Sequence, residues 1–153
     1  MGRSCRPIPP GSPSRLLAAS RGGEPKETAV LRICVRNVEA FHRMTRTPIL
    51  DRPTIPDRER VALRLELIRE EFEETAVAMA RGDLVEIADG LADLVYVCVG
   101  AALEFGIPLD RVWAEVHRSN MAKAGGPRRA DGKILKPDGW TPPDIRGVLG
   151  LDD

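Results

Sequence analysis

The sequence predicts an all-α fold built from four helices. Apolar residues recur at i, i+3 and i+4 spacing in four successive segments, which is the period of a helix with one buried face. Proline and glycine separate these segments, and no run of alternating apolar and polar residues is long enough for a sheet. The 153-residue length is typical of one domain.

Charge and hydropathy narrow the range of partners. The chain has 23 basic and 23 acidic side chains, so its formal net charge is zero. This balance does not predict a nucleic-acid partner. No apolar stretch reaches the roughly 18 residues of a membrane-spanning helix, so no membrane partner is predicted.

The first two predicted helices lie on either side of a proline-rich loop. The first runs from Glu27 to about Met44, and its apolar stripe comprises Val30, Ile33, Cys34, Val38 and Phe41. The second follows Asp57, a residue suited to an N-cap, and ends before Gly82. Its apolar positions include Val61, Leu65, Ile68, Phe72, Thr75, Ala76 and Met79.

The third predicted helix, Leu84 to Phe105, is apolar on more than one face. Such a helix needs packing partners on several sides, and a core of about 95 residues is small. We therefore predict a homo-oligomer, most simply a homodimer. The fourth predicted helix runs from Asp110 to about Ala124.

Both ends of the chain have a composition unlike the helices. Residues 1–28 are rich in Pro, Gly, Ser and Arg, which predicts a disordered tail, with an organellar transit peptide as the alternative. Residues 29–124 form the predicted helical domain, and residues 125–153 a basic, proline-containing loop. The apolar surroundings of Cys34 and Cys98 predict reduced core cysteines and a cytoplasmic location.

Carboxylates concentrate on the second and third predicted helices. Glu70, Glu71 and Glu74 share one side of the second helix, and Glu86, Asp89 and Asp93 share one face of the third. Aspartate is unfavourable inside a helix, yet two interrupt this nearly apolar one. The alternative is an ordinary acidic surface, which is our prediction for three other acids: Glu66, Glu73 and Glu104. His42 is predicted to be a packed or capping residue.

A divalent cation would relieve the repulsion among these acids. Oxygen-only ligands favour Mg²⁺, for which Mn²⁺ can substitute. Mg²⁺ usually completes its coordination with water and substrate phosphates, so the pattern favours a phosphate-bearing substrate. The sequence lacks the G-x-x-x-x-G-K-[ST] loop that cradles a phosphate chain for γ-phosphoryl transfer.

These motifs resemble a known family. The run Glu70-Glu71-x-x-Glu74, followed by Asp89-Gly90-Leu91-Ala92-Asp93-Leu94-Val95-Tyr96-Val97, is similar to the all-α NTP pyrophosphatases. That superfamily includes MazG, the phosphoribosyl-ATP pyrophosphohydrolases and the dimeric dUTPases. The stretch from Glu115 to Trp140 looks closest to the MazG-like dUTPase-type branch known from Deinococcus.

The resemblance implies a four-helix MazG-like bundle, completed by dimerisation, with Mg²⁺ bound to its carboxylates. The implied metal ligands are Glu71, Glu74, Glu86, Asp89 and Asp93. Glu70 and Glu71 are the implied catalytic residues, and Glu70 orients or deprotonates the water that attacks the α-phosphorus. The family places a glutamate where this chain has Gly90, so either Asp89 or Glu86 must supply that ligand.

Residues beyond the third helix are predicted to bind substrate. They are Asn120, Lys123, Lys133 and Trp140, with Arg128, Arg129 and Lys136 as further basic candidates for the triphosphate. Asn120 is expected to bond the sugar or base, or to end the helix. Trp140 is expected either to cover a base or to anchor the C-terminal segment on a partner subunit.

The function predicted from the sequence is hydrolysis of a nucleoside triphosphate to the monophosphate and pyrophosphate. Removal of dUTP or another non-canonical nucleotide is one expected role. Hydrolysis of phosphoribosyl-ATP in histidine biosynthesis is a second. A catalytically inactive dimeric interaction module is the remaining alternative.

Overall fold

Five α-helices account for the regular structure of residues 26–151, which are the residues that this computed structural model describes. They are α1 Lys26–Thr45, α2 Arg58–Arg81, α3 Leu84–Glu104, α4 Leu109–Met121 and α5 Ile145–Leu149. Within those residues the only β-pairing is an isolated antiparallel bridge between Arg128 and Ile134. The predicted all-α fold is confirmed.

Local sequence signals determine where α2 and α3 begin and end. The Asp57 side chain accepts a hydrogen bond from the Arg60 amide at 2.8 Å, which satisfies a free N–H in the first turn of α2. Gly82 ends α2 in the left-handed conformation, with φ of 69°. Asp83 then caps α3 by accepting from the amides of Val85 and Glu86.

The helix pair α2 and α3 forms the centre of the fold. Thr75 faces Gly90 across this pair, while Arg64 contacts Glu104, so the two helices run antiparallel. Helix α1 packs on α3 and α4, and α5 packs on α4. Glu71 of α2 and Asp93 of α3 face the space between these two helices and α1. None of the helices in the described part of the chain has both the length and the apolar character to cross a membrane.

The interior of the single chain is small. The buried apolar residues are Val38, Ala78, Val99 and Ala102. Several residues of the predicted apolar faces are instead exposed, including Leu65 and Phe72 on α2 and Leu91 on α3. The helices therefore present apolar surface that one chain does not cover.

The structure differs from the sequence predictions in three places. Residues 145–149, predicted as loop, form α5, because the Asp144 side chain accepts from the Gly147 amide at 3.0 Å and Gly150 ends the turn with φ of 65°. Helix α1 begins at Lys26, one residue before the predicted start at Glu27; residues 1–25 of the predicted tail lie outside the described residues. Cys98, predicted to lie in the core, is exposed, and Cys34 is half-buried.

Candidate active site

The predicted acidic residues lie along the α2–α3 pair. Glu71 is half-buried on α2, between the exposed side chains of Glu70 and Glu74. On α3, Asp93, Asp89 and Glu86 are exposed and follow one another toward the N-terminus of the helix. Because the helices are antiparallel, Glu71 lies opposite Asp93, and Glu74 lies near the level of Asp89 and Glu86.

Electrostatic repulsion links five of these acids. Burial, followed by the negative charge of Asp93, raises the pKa of Glu71 above its usual value. The charges of Glu74, Glu70 and Asp89 add to the same effect. Glu71 is therefore at the centre of the acidic cluster, and its carboxylate gains most from a nearby cation.

Gly90 allows the two helices to approach closely at this level. A Cβ atom on Gly90 would lie 2.5 Å from Thr75 Oγ1 and 3.3 Å from Thr75 Cα. Thr75 is buried, and its hydroxyl donates to the Glu71 carbonyl oxygen at 2.7 Å. A side chain at position 90 would push against Thr75, so glycine there lets α2 and α3 lie close together.

Glu86 and Glu74 share a shallow depression at the α2–α3 turn. It has a volume of about 350 Å³ and is also lined by Glu73, Val77, Ala78, Arg81 and Asp83. Asp89, in contrast, acts directly on the pKa of Glu71. Of Asp89 and Glu86, Asp89 is thus the one whose charge acts on Glu71 at the centre of the cluster.

A cavity of about 400 Å³ opens beside Glu71 and Asp93, between α1, α2 and α3. Its apolar lining comprises Phe41, Leu63, Leu67, Tyr96 and Val97. The Phe41 and Tyr96 rings pack edge to face with centroids 5.9 Å apart. The polar residues at the end away from the acids are His42, Thr47, Arg60 and Arg64. The volume and the mostly apolar lining are those of a small-molecule site.

A buried ionic network lies behind this cavity, and the sequence prediction missed it. Glu104, predicted to be a solvated surface acid, is 1% exposed and pairs with both Arg60 and Arg64. Burial alone would raise the pKa of Glu104, but the hydrogen bonds from Arg64 and Arg60 outweigh it and keep that pKa low. The other two acids predicted to be on the surface, Glu66 and Glu73, are exposed and pair with Arg69.

His42 completes this network. It is 3% exposed, as expected for a packed histidine, and its Nε2 atom lies 3.3 Å from Arg64 Nη2. Burial, and then the Arg64 guanidinium, lower the pKa of His42, against smaller opposing effects of the Pro48 backbone and Glu104. The signal that sequence reasoning overlooked is an acid in the last turn of an apolar helix, together with two arginines four residues apart.

The predicted substrate-binding residues form a separate group on α4 and the C-terminal segment. The Trp140 indole N–H donates to the Ser119 carbonyl at 3.0 Å, so this ring anchors the segment to α4. Lys136 Nζ lies 4.1 Å, and Lys123 Nζ 5.3 Å, from the Trp140 ring centroid. Lys123 also donates to Asn120 at 2.8 Å.

Lys133 lies in the short hairpin around the Arg128–Ile134 bridge. It is exposed, and its backbone carbonyl accepts from the Arg129 amide at 2.8 Å. The predicted substrate-binding residues therefore contact α4 and the hairpin. They are on different elements from the acids, which are on α2 and α3.

The donor atoms of the acidic cluster suit a hard divalent cation. Within residues 26–151, no three His, Cys, Asp or Glu side chains converge closely enough to hold an ion by themselves. Mg²⁺ rarely uses such a cage; it binds through one or two carboxylates and takes its other ligands from water and phosphate. The repulsion at Glu71 and the oxygen-only donors fit that type of binding.

The comparison with protein families identifies the chain. Residues 38–120, more than half of its length, match the model described as phosphoribosyl-ATP pyrophosphohydrolase. The chain belongs to the phosphoribosyl-ATP pyrophosphohydrolase family. Membership confirms the resemblance to the MazG-like all-α NTP pyrophosphatases and makes the protein a hydrolase of phosphoric anhydride bonds.

The matched region contains the acidic cluster and the residues that line the cavity. It ends at Asn120, before the basic hairpin and Trp140. The search of curated proteins found no match to this chain.

Proposed function

We propose that the protein is a Mg²⁺-dependent nucleoside triphosphate pyrophosphohydrolase that releases a nucleoside monophosphate and pyrophosphate. The observation that carries this proposal is the position of Glu71. It lies at the centre of five mutually repelling carboxylates and at the mouth of a cavity large enough for a nucleoside. The five carboxylates suit a cation bound to phosphates. The cavity suits the nucleoside part of the same nucleotide.

The carboxylates have different proposed tasks. Glu71 and one of Glu74, Asp89 and Asp93 would hold the metal directly, and the other acids, with Glu86 at the margin of the set, would reach it through bound water. When bound, Mg²⁺ would neutralise phosphate charge and make water more acidic. Glu70 would orient the attacking water and accept its proton. Attack at the α-phosphorus breaks the bond to the bridging oxygen, so pyrophosphate leaves.

The basic C-terminal residues would act on the phosphates from a second subunit. Asn120, Lys123, Lys133 and Trp140 are held on α4 and the hairpin of their own chain. We propose a homodimer in which this segment lies over the partner's acidic cluster. The uncovered apolar surface of α2 and α3 supports the dimer. The cytoplasmic location stays a prediction.

Hydrolysis of phosphoribosyl-ATP is the second candidate function. The description of the matching family favours it. It would use the same acids and release the same leaving group, so the chemistry at the metal does not distinguish the two candidate functions. They differ in the nucleoside part of the substrate.

A nucleotide screen in ¹⁸O-labelled water tests the proposed function. We expect hydrolysis that needs Mg²⁺ or Mn²⁺ and stops on chelation, with one label in the monophosphate product. Including phosphoribosyl-ATP in the screen separates the two candidates by their relative kcat/KM values. Label in orthophosphate with accumulation of a diphosphate would contradict attack at the α-phosphorus.

A further inference from the structure

The segment that follows the hairpin runs along α4 and is held there by hydrogen bonds. The hydroxyl of Ser119, a residue that is 2% exposed, donates to the Thr141 carbonyl at 3.2 Å. Further along the segment, the Asp144 amide donates to the Glu115 carboxylate at 2.8 Å. Together with the bond from the Trp140 indole N–H to the Ser119 carbonyl, these contacts fix the position and orientation of the Trp140 ring.

A tight turn brings Lys136 back to this ring. The Trp140 amide donates to the Pro137 carbonyl at 3.1 Å, and Gly139 has a φ of 78°. A positive φ at the third residue is typical of a type II turn, in which glycine is preferred. Lys136 directly precedes the turn, and its Nζ atom lies over the Trp140 ring, 4.1 Å from the centroid.

Lys123 reaches the same ring from the end of α4. Its Nζ atom lies 5.3 Å from the Trp140 centroid and also donates to the Asn120 side-chain carbonyl at 2.8 Å. Both lysines are within the distance at which a cation is attracted to an aromatic ring. One fixed ring therefore holds two ammonium groups close to each other.

No carboxylate neutralises this pair of lysines in the part of the chain that the structure describes. Neither Lys123 nor Lys136 forms an ion pair with an acid among residues 26–151. Asp131, an acid of the adjacent hairpin, pairs with Arg129 instead. Two like charges held together without a counter-ion repel each other, so an anion that contacts both ammonium groups is favourable.

We propose that Trp140 is a positioning residue that holds Lys123 and Lys136 as a site for the pyrophosphate end of the nucleotide. This inference rests on the proposed function, which places the α-phosphorus at the acidic cluster of the partner subunit. When water attacks there, the bond to the bridging oxygen breaks and its electron pair leaves with pyrophosphate. The two ammonium groups would stabilise that charge. Trp140 itself would not touch substrate, because Ser119 uses its N–H and the lysines use its ring.

Inhibition by inorganic pyrophosphate tests the site in the Mg²⁺-loaded protein. Relative to wild type, K136Q and W140L should each raise the inhibition constant of pyrophosphate, and lower kcat/KM for the best nucleotide of the screen, by at least about fivefold. K136R should stay within about twofold of wild type, since arginine keeps the charge and also stacks on tryptophan. W113L, which removes an exposed ring of α4, is the control. An unchanged inhibition constant in K136Q would overturn the site.

A double variant tests whether Trp140 acts through the lysines. If it does, W140L should do less further harm to pyrophosphate binding in K136Q than it does in wild type, because one of the two cations that it positions is already gone. Effects that multiply in full would mean that Trp140 only anchors the segment on α4.

Tryptophan fluorescence reports binding without turnover. The chain has two tryptophans, so W113L leaves Trp140 as the only one. With Mg²⁺ present, pyrophosphate should change its emission in a saturable way, and adding K136Q should weaken that binding by at least about fivefold. Orthophosphate should bind at least about fivefold more weakly than pyrophosphate, because it carries less charge and is too short to contact both cations as well. No change with pyrophosphate, or equal affinity for the two anions, would contradict the proposal.

The two proposals fail in different ways. Nucleotide hydrolysis with wild-type pyrophosphate inhibition in K136Q would overturn the lysine site and leave the proposed function intact. Binding of pyrophosphate that depends on Lys136, in a protein that hydrolyses no nucleotide of the screen, would overturn the proposed function and leave an anion site at Trp140.

Discussion

Glu71 illustrates how one residue can be unfavourable for the fold and necessary for the chemistry. Its half-buried carboxylate faces the charges of Asp93, Glu74 and two further acids, so its pKa is raised. A raised pKa means that the ionised form is less stable in the folded chain than in the unfolded one. The same excess of negative charge attracts a divalent cation.

Replacing Glu71 or Glu74 with glutamine should therefore separate stability from activity. We expect E71Q and E74Q to lower kcat more than about 100-fold, since even indirect metal partners change activity by about 10- to 100-fold. Both variants should keep the fold, and E71Q should melt at a higher temperature than wild type when a chelator is present. E66Q, on the exposed side of α2, is the control for turnover. Wild-type turnover in E71Q or E74Q would exclude that residue from the site.

The pH dependence of stability follows from the same pKa shift. A carboxylic acid with a raised folded-state pKa binds more protons when folded, so its stabilising contribution is complete below the unfolded pKa of about 4.3. That contribution is lost as pH rises through the higher folded pKa of Glu71. In chelator, wild type should lose stability relative to E71Q across this window, as measured by urea unfolding at a series of pH values. A constant difference would exclude Glu71 as the source.

Glu104 should behave in the opposite way, because its charge is already paired. Removing one partner of a buried ion pair typically costs about 3–5 kcal/mol, since the other charge stays buried. E104Q leaves the Arg60 and Arg64 guanidiniums without their carboxylate, so we expect a loss of that order in the free energy of unfolding. E73Q, which removes an exposed partner of Arg69, should change stability little. Similar values for the two variants would mean that the Glu104 network contributes no more than a surface pair.

At the scale of helices, the approach of α2 and α3 depends on Gly90. G90A places a methyl group against buried Thr75, and overpacking of this kind costs about 1–3 kcal/mol. The better helix propensity of alanine offsets part of this, by about 1 kcal/mol. We expect a net loss of stability in G90A that is smaller when T75A removes the hydroxyl, as chemical denaturation of both single variants and the double variant will show.

The control for this cycle is G125A, because a Cβ atom on Gly125 meets nothing within 4 Å. T75A combined with G125A should give additive effects, since those residues share no contact. Additivity in the G90A and T75A pair as well would mean that the two residues do not limit the distance between the helices.

The helices were predictable from the sequence because strong local signals mark them. Asp57 and Gly82 cap α2 as expected, and α3 is a long apolar segment that begins after Asp83. Helix α5 was missed because five residues are too few to show a period, and its stability comes from Asp144 and Gly150. The buried state of Glu104 could not be read from its own segment, since it depends on arginines that lie 40 and 44 residues away.

The candidate site was predictable to a similar extent. The acids lie on two adjacent helices, so spacing alone indicates that they share a surface, and the electrostatic coupling of Glu71 supports it. The cavity was not predicted, because it needs the end of α1 to lie against α2 and α3. The reason for Gly90 also depends on a tertiary contact, since Thr75 is 15 positions away in the chain.

For the whole molecule, the main question is what covers its apolar surface. Five exposed residues of α3 repeat at alternating spacings of four and three: Leu84, Ala88, Leu91, Val95 and Cys98. This is the repeat of a helix that packs along its length against another helix. We call this row of residues the α3 seam. With 3.6 residues per turn, the acids of α3 lie on the side of the helix opposite the seam, so a partner helix packed there would not cover them.

We therefore expect the protein to be a homodimer whose interface includes this seam of α3. Light scattering at micromolar concentration should give about twice the chain mass of 16.8 kDa. V95K places a charge in the seam, on the side of α3 away from Asp93, and should shift the mass toward the monomer. A114K, which adds the same charge to an exposed position of α4, should stay dimeric.

Turnover should fall in V95K and recover at high protein concentration if a second subunit supplies Lys123 or Lys133 to the acids. A dimeric V95K would place the interface elsewhere, and a monomeric V95K with full turnover would show that each chain holds a complete site.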